Sequence, residues 1–265
     1  MAEFVQINVS GSVAGIVIDR PDVHNAFNEA VIAELTQAFH EVGARDDVRV
    51  VILMSEGKSF SAGADINWMR RMVDYSFDEN VADATEMAKM LRAIRECPRP
   101  VIARVHGATY GGGVGLVAAC DIAVAAEDAM FALTEVKLGI LPAVISPYVQ
   151  EKIGAGALRR YGLTAERFDA DTARDLGLIA EVAEDDDELD EWILYFTKVL
   201  LKTGPEAVAA CKRVLREIQP VDWDAATETS TRRIAEQRVT EEGQEGLRAF
   251  LEKRKPGWVE PAPAE

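Results

Sequence analysis

The chain has no apolar run approaching the roughly 18 residues that a membrane-spanning helix needs. Its opening stretch, Met1–Ser12, has neither a basic segment nor an apolar one, so no secretory leader is read there. Cysteine is scarce: Cys97, Cys120 and Cys211 stand far apart with no C-x-x-C pair. That argues against a disulfide framework or a thiolate metal site, and for a reducing, cytoplasmic setting. Histidine is equally thin, and His24, His40 and His106 are too scattered to suggest a metal site. His40 falls inside a helical stretch and reads as a surface residue. Positive charge is also short, with 29 Lys and Arg against 45 Asp and Glu and a formal net charge of -16. Such a balance repels a phosphate backbone at long range, which argues against general nucleic-acid binding. A phosphate-bearing ligand would need local basic residues and main-chain N–H groups. H-E-x-x-H, G-x-S-x-G and a complete phosphate-binding loop are absent; Gly57-Lys58-Ser59 resembles the end of such a loop, but Ile52 stands where its first glycine belongs.

Hydrophobic residues make up 48% of the chain, enough for a sizeable core. Val13–Asp19 predicts a strand closed by the Arg20-Pro21-Asp22 turn. Asn28 is a good cap for a helix whose Val31, Ile32, Leu35, Phe39 and Val42 share one face. Val48–Met54 is a nearly continuous apolar run, as for a strand covered on both faces. A helix is expected over Val81–Ile94, with Val81, Ala84, Met87, Ala88, Leu91 and Ile94 in register, stopped by Pro98 and Pro100. Val101–Val105 and Asp121–Ala125 predict further strands around a glycine-rich loop and a short apolar helix from about Gly113 to Cys120. This alternation is an α/β pattern. Beyond about Tyr148 the chain turns mainly helical, with Glu188–Leu201, Pro205–Ile218, Trp223–Glu236 and Glu241–Lys253 reading as amphipathic helices.

Three segments carry candidate chemistry. Ser59-Phe-Ser-Ala-Gly-Ala-Asp-Ile66 is a loop of small residues before a helix opening near Asp65, and taken alone it is an ordinary β-to-α turn. His106-Gly-Ala-Thr-Tyr-Gly-Gly-Gly-Val-Gly115 again places bare amides at a helix start, Gly112 among them. Two such loops could aim two N–H donors at one oxygen, the geometry of an oxyanion hole. A rival reading exists: Gly113-x-Gly115-x-x-Ala118 fits the dinucleotide fingerprint G-x-G-x-x-A. The acid such a site needs should end the next strand about twenty residues on, yet Glu127 and Asp128 end it too early, and the oxyanion reading is preferred. The third segment, Phe131-Ala-Leu-Thr-Glu135, ends an alternating apolar stretch with an acid that, alone, reads as a solvated strand-end glutamate near Lys137.

Together, F-S-A-G-A-D-I, Y-G-G-G-x-G-L-x-x-A-C-D-I and F-A-L-T-E-V-K-L-G-I-L-P resemble the crotonase (enoyl-CoA hydratase/isomerase) superfamily in order and spacing. R-P-x-x-x-N-A-F at Arg20–Phe27 and F-L-E-K-R-K-P at Phe250–Pro256 match as well, so the resemblance covers essentially the whole chain. It implies an α/β fold with a spiral ββα core over residues 1–200 and a helical region over 201–265 that builds trimers or dimers of trimers. The implied ligand is an acyl-CoA, with no metal or redox cofactor, no nucleic acid and no membrane. The thioester carbonyl would be held by the amides of Ala64 and Gly112, and Glu135 would be the catalytic acid–base. A further glutamate carried by family hydratases falls on Gly115 and is missing. Ala62, Asp65, Ile66, Gly115, Pro142, Phe250 and Lys253 match substrate-binding positions; Ala62, Ala64 and Ile66 would meet the adenine through their backbone, and Phe250 and Lys253 would reach the nucleotide from a neighbouring subunit. Asn67 replaces a lysine that many relatives carry, and Ala143 stands where dehalogenating relatives have an aspartate. Leu141-Pro-Ala-Val-Ile-Ser-Pro-Tyr148, with Y-G-G-G-V-G-L, is similar to bacterial methylglutaconyl-CoA and isohexenylglutaconyl-CoA hydratases. A distal carboxylate on such substrates could meet Arg70 or Arg71, whose alternative role is a solvated helix face. A double-bond isomerase and a non-catalytic acyl-CoA-binding protein are the competing expectations.

Overall fold

A computed structural model of the chain describes residues 3–72, 74–218, 241–242, 245–246, 249 and 252–258. The expected helix Trp223–Glu236, part of Glu241–Lys253 and the candidate residue Phe250 lie outside the described residues.

The main sheet has six strands: β1 (Val5–Ser10), β2 (Val13–Ile18), β3 (Val50–Ser55), β4 (Val101–Val105), β6 (Ile122–Ala126) and β9 (Glu181–Ala183). They lie in the order β1-β2-β3-β4-β6-β9, with β1 antiparallel to β2 and every later pair parallel. A second sheet pairs β7 (Met130–Ala132) in parallel with β5 (Ala108–Tyr110) and antiparallel with β8 (Phe168–Asp169). The apolar strands β3 and β4 divide their residues by parity. Val51, Leu53, Val101, Ala103 and Val105 enter the large core, while Val50 and Ile102 enter a smaller one under Leu189 and Ile193 of α7 (Asp186–Leu201). The side-chain period of two sends alternate residues to opposite faces, and both faces here are covered. β1, which was not expected from the sequence, runs along the edge with most of its residues exposed.

The helices start where their caps dictate. Asn28 Oδ1 accepts from the Val31 amide at 3.1 Å and opens α1 (Glu29–Gly43), whose buried face includes the five predicted residues. Ser76 and Glu79 form a reciprocal capping box on α3 (Phe77–Glu96). Only the second half of α3 is core, through Met90, Leu91, Ala93 and Ile94. Val81 and Ala88 are exposed, and Ala84 and Met87 face a cleft, Met87 also packing against the edge of the core. α4 (Gly112–Ala119) is buried on all sides. α5 (Ser146–Thr164) bends at Gly154, whose φ of 75° interrupts the helix, and the short α6 (Ala170–Asp175) follows β8. α8 (Pro205–Glu217) is tied to the core through Lys212, whose Nζ lies 2.6 Å from Asp121 Oδ2 and 3.0 Å from the Arg99 carbonyl.

Candidate active site

The loop after β3 is held by a dense polar network. Asn25 is fully buried: its Oδ1 accepts from the Arg20 amide at 2.8 Å, and its Nδ2 donates to the carbonyls of Glu56 at 2.6 Å and Ser59 at 2.7 Å. Ser61 Oγ donates to the Asn25 carbonyl at 3.0 Å and accepts from the Gly63 amide at 3.2 Å. The amides of Ser61, Ala62 and Asp65 donate to Ala108, His24 and Phe27. Across the loop, Tyr110 donates to Ser61 and Gly111 to Ala132. Among the described residues the amides of Ile66 and Gly113 meet no protein acceptor, and neither do those of Ala64 and Gly112. Ala64 and Gly112 line one cleft.

Glycine brings these amides together. Gly63 has φ of 89°, and a Cβ there would lie 2.9 Å from the Tyr110 carbonyl and 3.7 Å from the Gly112 nitrogen. A Cβ on Gly113 would meet the Ser61 carbonyl at 2.7 Å. The two loops therefore abut through bare backbone, which only glycine allows at such distances. Gly113 and Gly115 are spent on helix packing, which removes the geometric basis of a dinucleotide fingerprint.

Asp65, expected to contact substrate, turns toward the protein instead. Its Oδ1 accepts from the amides of Asn67 at 2.7 Å and Trp68 at 3.3 Å, opening α2 (Ile66–Met72), and its Oδ2 pairs with Arg20 at 3.1 Å. Burial opposes ionisation there, but the two amides and Arg20 outweigh it and hold the carboxyl below the usual carboxylate range. Asp65 is thus a positioning residue for the Ala64 amide.

Glu135 opens a 3-10 turn, Glu135–Leu138, just beyond β7. Its carboxyl lies over Gly111: a Cβ at that glycine would be 3.2 Å from Oε1. Oε2 is buried with no protein partner among the described residues. Burial pushes the Glu135 carboxyl above the ordinary glutamate range. The expectation of a solvated residue near Lys137, drawn from this segment alone, is overturned because the turn folds the side chain back over Gly111.

The cleft holds a cavity of about 220 Å³. Phe27, Trp68, Met69, Met72, Met87, Leu138, Ile140 and Leu141 make its walls largely apolar, and Ala62, Pro142 and Ala143 line it too. Gly115 does not line it, correcting its assignment to substrate. A Cβ there would lie 2.3 Å from Ile145 Cγ2, so the space above Gly115 is filled by a side chain of the following segment. Ile66 is 64% exposed and Lys253 is exposed, both away from the cavity wall. Arg70 and Arg71 share α2 with the lining Met69 and Met72 but do not line the cavity; Arg71 reaches both oxygens of Glu29, and Arg70 contacts Asn67 Oδ1 at 3.0 Å. Sequence reasoning missed Asp83 of α3, which lines the cavity and accepts from the Trp68 indole at 3.0 Å. An acid one residue before the apolar Ala84 is the only signal it leaves in sequence.

A family model described as enoyl-CoA hydratase/isomerase matches residues 8–261. The crystal structure of an enoyl-CoA hydratase from Shewanella pealeana is 44% identical, with a TM-score of 0.93 over 97% of this chain and 96% of that one. A peroxisomal Delta(3,5)-Delta(2,4)-dienoyl-CoA isomerase of Arabidopsis thaliana is 31% identical over 266 residues, 96% of this chain and 95% of its own. The enoyl-CoA hydratase AKT6-1 of Alternaria alternata is 31% identical over 246 residues, 91% of this chain and 78% of its own.

Proposed function

This chain belongs to the enoyl-CoA hydratase/isomerase family and has the crotonase fold, and on that premise we propose that it adds water to a 2-enoyl-CoA through a thioester enolate. The observation that carries this reading is a pair of unclaimed amides, Ala64 and Gly112, beside one buried carboxyl, Glu135, in one apolar cleft. The amides donate to the thioester carbonyl oxygen and so draw electron density from the conjugated double bond. Glu135 as carboxylate takes a proton from water, whose oxygen bonds to C3 while the π electrons move to the enolate oxygen. The amides stabilise that charge most in the transition state, where it develops. Protonation at C2, by Glu135 directly or through a second water that Glu135 in turn reprotonates, gives the 3-hydroxyacyl-CoA and restores the carboxylate. The cycle calls on no metal or redox cofactor, and coenzyme A is part of the substrate.

The acyl chain of this reading is branched, 3-methylglutaconyl-CoA being the example that the Leu141–Tyr148 segment suggests. Pro142, Ala143, Val144 and Ile145 of that segment line the cleft, which supports its bearing on chain selection. The same reading includes a trimer or a dimer of trimers, checked by analytical ultracentrifugation, with a single-chain sedimentation coefficient counting against it. A spectrophotometric panel of enoyl-CoA thioesters tests the activity: the conjugated-enoyl absorbance is expected to fade with 3-methylglutaconyl-CoA, and Glu135→Gln to slow this by about 10³-fold or more. Undiminished turnover in that variant would remove Glu135 from the chemistry.

One observation favours a second reading. With Ile145 filling the space above Gly115, no second acid stands at that position to share the proton transfers with Glu135, and a single carboxyl suits a proton transfer from C2 to C4. A conjugated product formed from a 3-enoyl-CoA, with no hydration of 2-enoyl thioesters, would establish that isomerase in place of the hydratase. Tight acyl-CoA binding without either reaction would leave a binding protein.

A further inference from the structure

The cavity has a second ionisable wall that the reaction above does not use. Asp83 projects from α3, half-buried, among Trp68, Met69, Ala84 and Met87, and is the only lining acid besides Glu135 among the described residues. One of its oxygens, Oδ1, is occupied by the Trp68 indole N–H at 3.0 Å; Oδ2 has no protein partner among the described residues. Among the described residues no lysine, arginine or histidine lines the cavity. The neighbouring charges are already matched: Glu29 of α1 holds Arg71 of α2, Glu79 caps Ser76, and Glu86 pairs with Lys89 at 2.7 Å. Glu135 belongs to the segment after β7 and does not hydrogen-bond to Asp83.

The geometry points to Asp83 as the residue that reads the far end of the acyl chain and decides, by its charge, whether a terminal carboxylate is accepted. Uncharged, its free oxygen carries the proton and donates an O–H to a ligand carboxylate. Ionised, it sets a like charge against that carboxylate in an apolar cleft that offers no lining cation, where repulsion is poorly screened. Burial raises the Asp83 carboxyl above the ordinary aspartate range; the Trp68 hydrogen bond and the nearby Arg71 guanidinium oppose the rise and Glu29 adds to it, and the changeover falls above the range of a solvated aspartate. An anionic acyl chain would then bind with uptake of one proton; an uncharged chain would not.

This inference rests on the acyl-CoA reading above. The test compares 3-methylglutaconyl-CoA with the near-isosteric 3-methyl-2-hexenoyl-CoA from about pH 5.5 to pH 8.5. In the full chain the ratio of their kcat/KM values should fall by at least roughly tenfold as pH rises. Asp83→Asn keeps an oxygen for the indole and offers an amide N–H at all pH values; its ratio should be flat and above the parent's at high pH. A ratio that is independent of pH in the parent, or that falls equally in Asp83→Asn, overturns the proposal. If Asp83→Asn fails to fold, the parent's profile alone decides. Binding of the saturated thioesters 3-methylglutaryl-CoA and 3-methylhexanoyl-CoA gives the same ratio without turnover, which separates failure of this proposal from failure of the hydratase reading.

Discussion

Along residues 61–65 and 110–111 nearly every main-chain amide has a carbonyl or side-chain partner, most of them in a distant segment, whereas the facing wall of the cleft, from α2, α3 and residues 138–145, bonds its main chain mostly to nearby residues of its own segments and presents apolar side chains to the cavity. The first wall rests on Asn25, Ser61, Arg20 and Asp65, all tied to backbone. The second exposes Leu138 at 60%, Ile140 at 55% and Leu141 at 69%. Chemistry that depends on two amide directions needs a backbone with no alternative arrangement. Selection among acyl chains needs shape and a few polar groups, and methionine-rich walls adapt to shape. The two walls should therefore respond differently to substitution.

The largest effect is expected at the bonded wall. An alanine Cβ at Gly112 would fall 2.4 Å from Phe27 Cζ and 2.9 Å from Met87 Cε, so Gly112→Ala must shift the helix start and with it one oxyanion donor. A kcat loss of about 10²–10³ is expected, with KM changed far less. Equal loss in Met87→Ala, which clears space on the packed wall, would erase the distinction between the walls. Next comes the Arg20–Asp65 pair, with side chains only 13% and 7% exposed. Arg20→Met leaves the Asp65 charge unpaired, and unfolding in urea should show a loss of about 3 kcal/mol. A loss under about 0.5 kcal/mol would mean the loop is held without it.

The smallest effect has the opposite sign. Glu135 holds its proton more tightly when folded, because burial raises its carboxyl above the ordinary range. Below that range both states are protonated and nothing is lost. As pH rises from the ordinary glutamate value to the folded value the unfolded chain releases its proton first, so stability falls, and it stays lower above. Glu135→Gln should therefore unfold a few degrees higher than the parent at pH 8 and level with it in acid, by thermal scans. A lower unfolding temperature at pH 8 would show that the carboxylate is stabilised by the fold.

Much of this was legible beforehand. The apolar runs at β3 and β4, the Asn28 cap and the turn at Arg20-Pro21-Asp22 are local signals, and local physics decided them. The edge strand β1 and the short strands β8 and β9 were not legible, because their pairing depends on distant partners and not on their own pattern. At the site, Ala64, Gly112 and Glu135 stood out as motif positions, while Asp65 and Gly115 were assigned to substrate although their contacts are with the protein.

Composition, periodicity and motif order determined by themselves that this is an α/β chain with two bare-amide loops and one acid at a strand end. Only the tertiary structure decided which amides stay unclaimed, that the Glu135 carboxyl turns inward over Gly111, that Ile145 closes the space above Gly115, and that Asp83 shares the cavity. The physical reason is range: caps, turns and strand patterns act over a few residues, but the partner of an amide or the burial of a carboxyl is set by segments far apart in the chain.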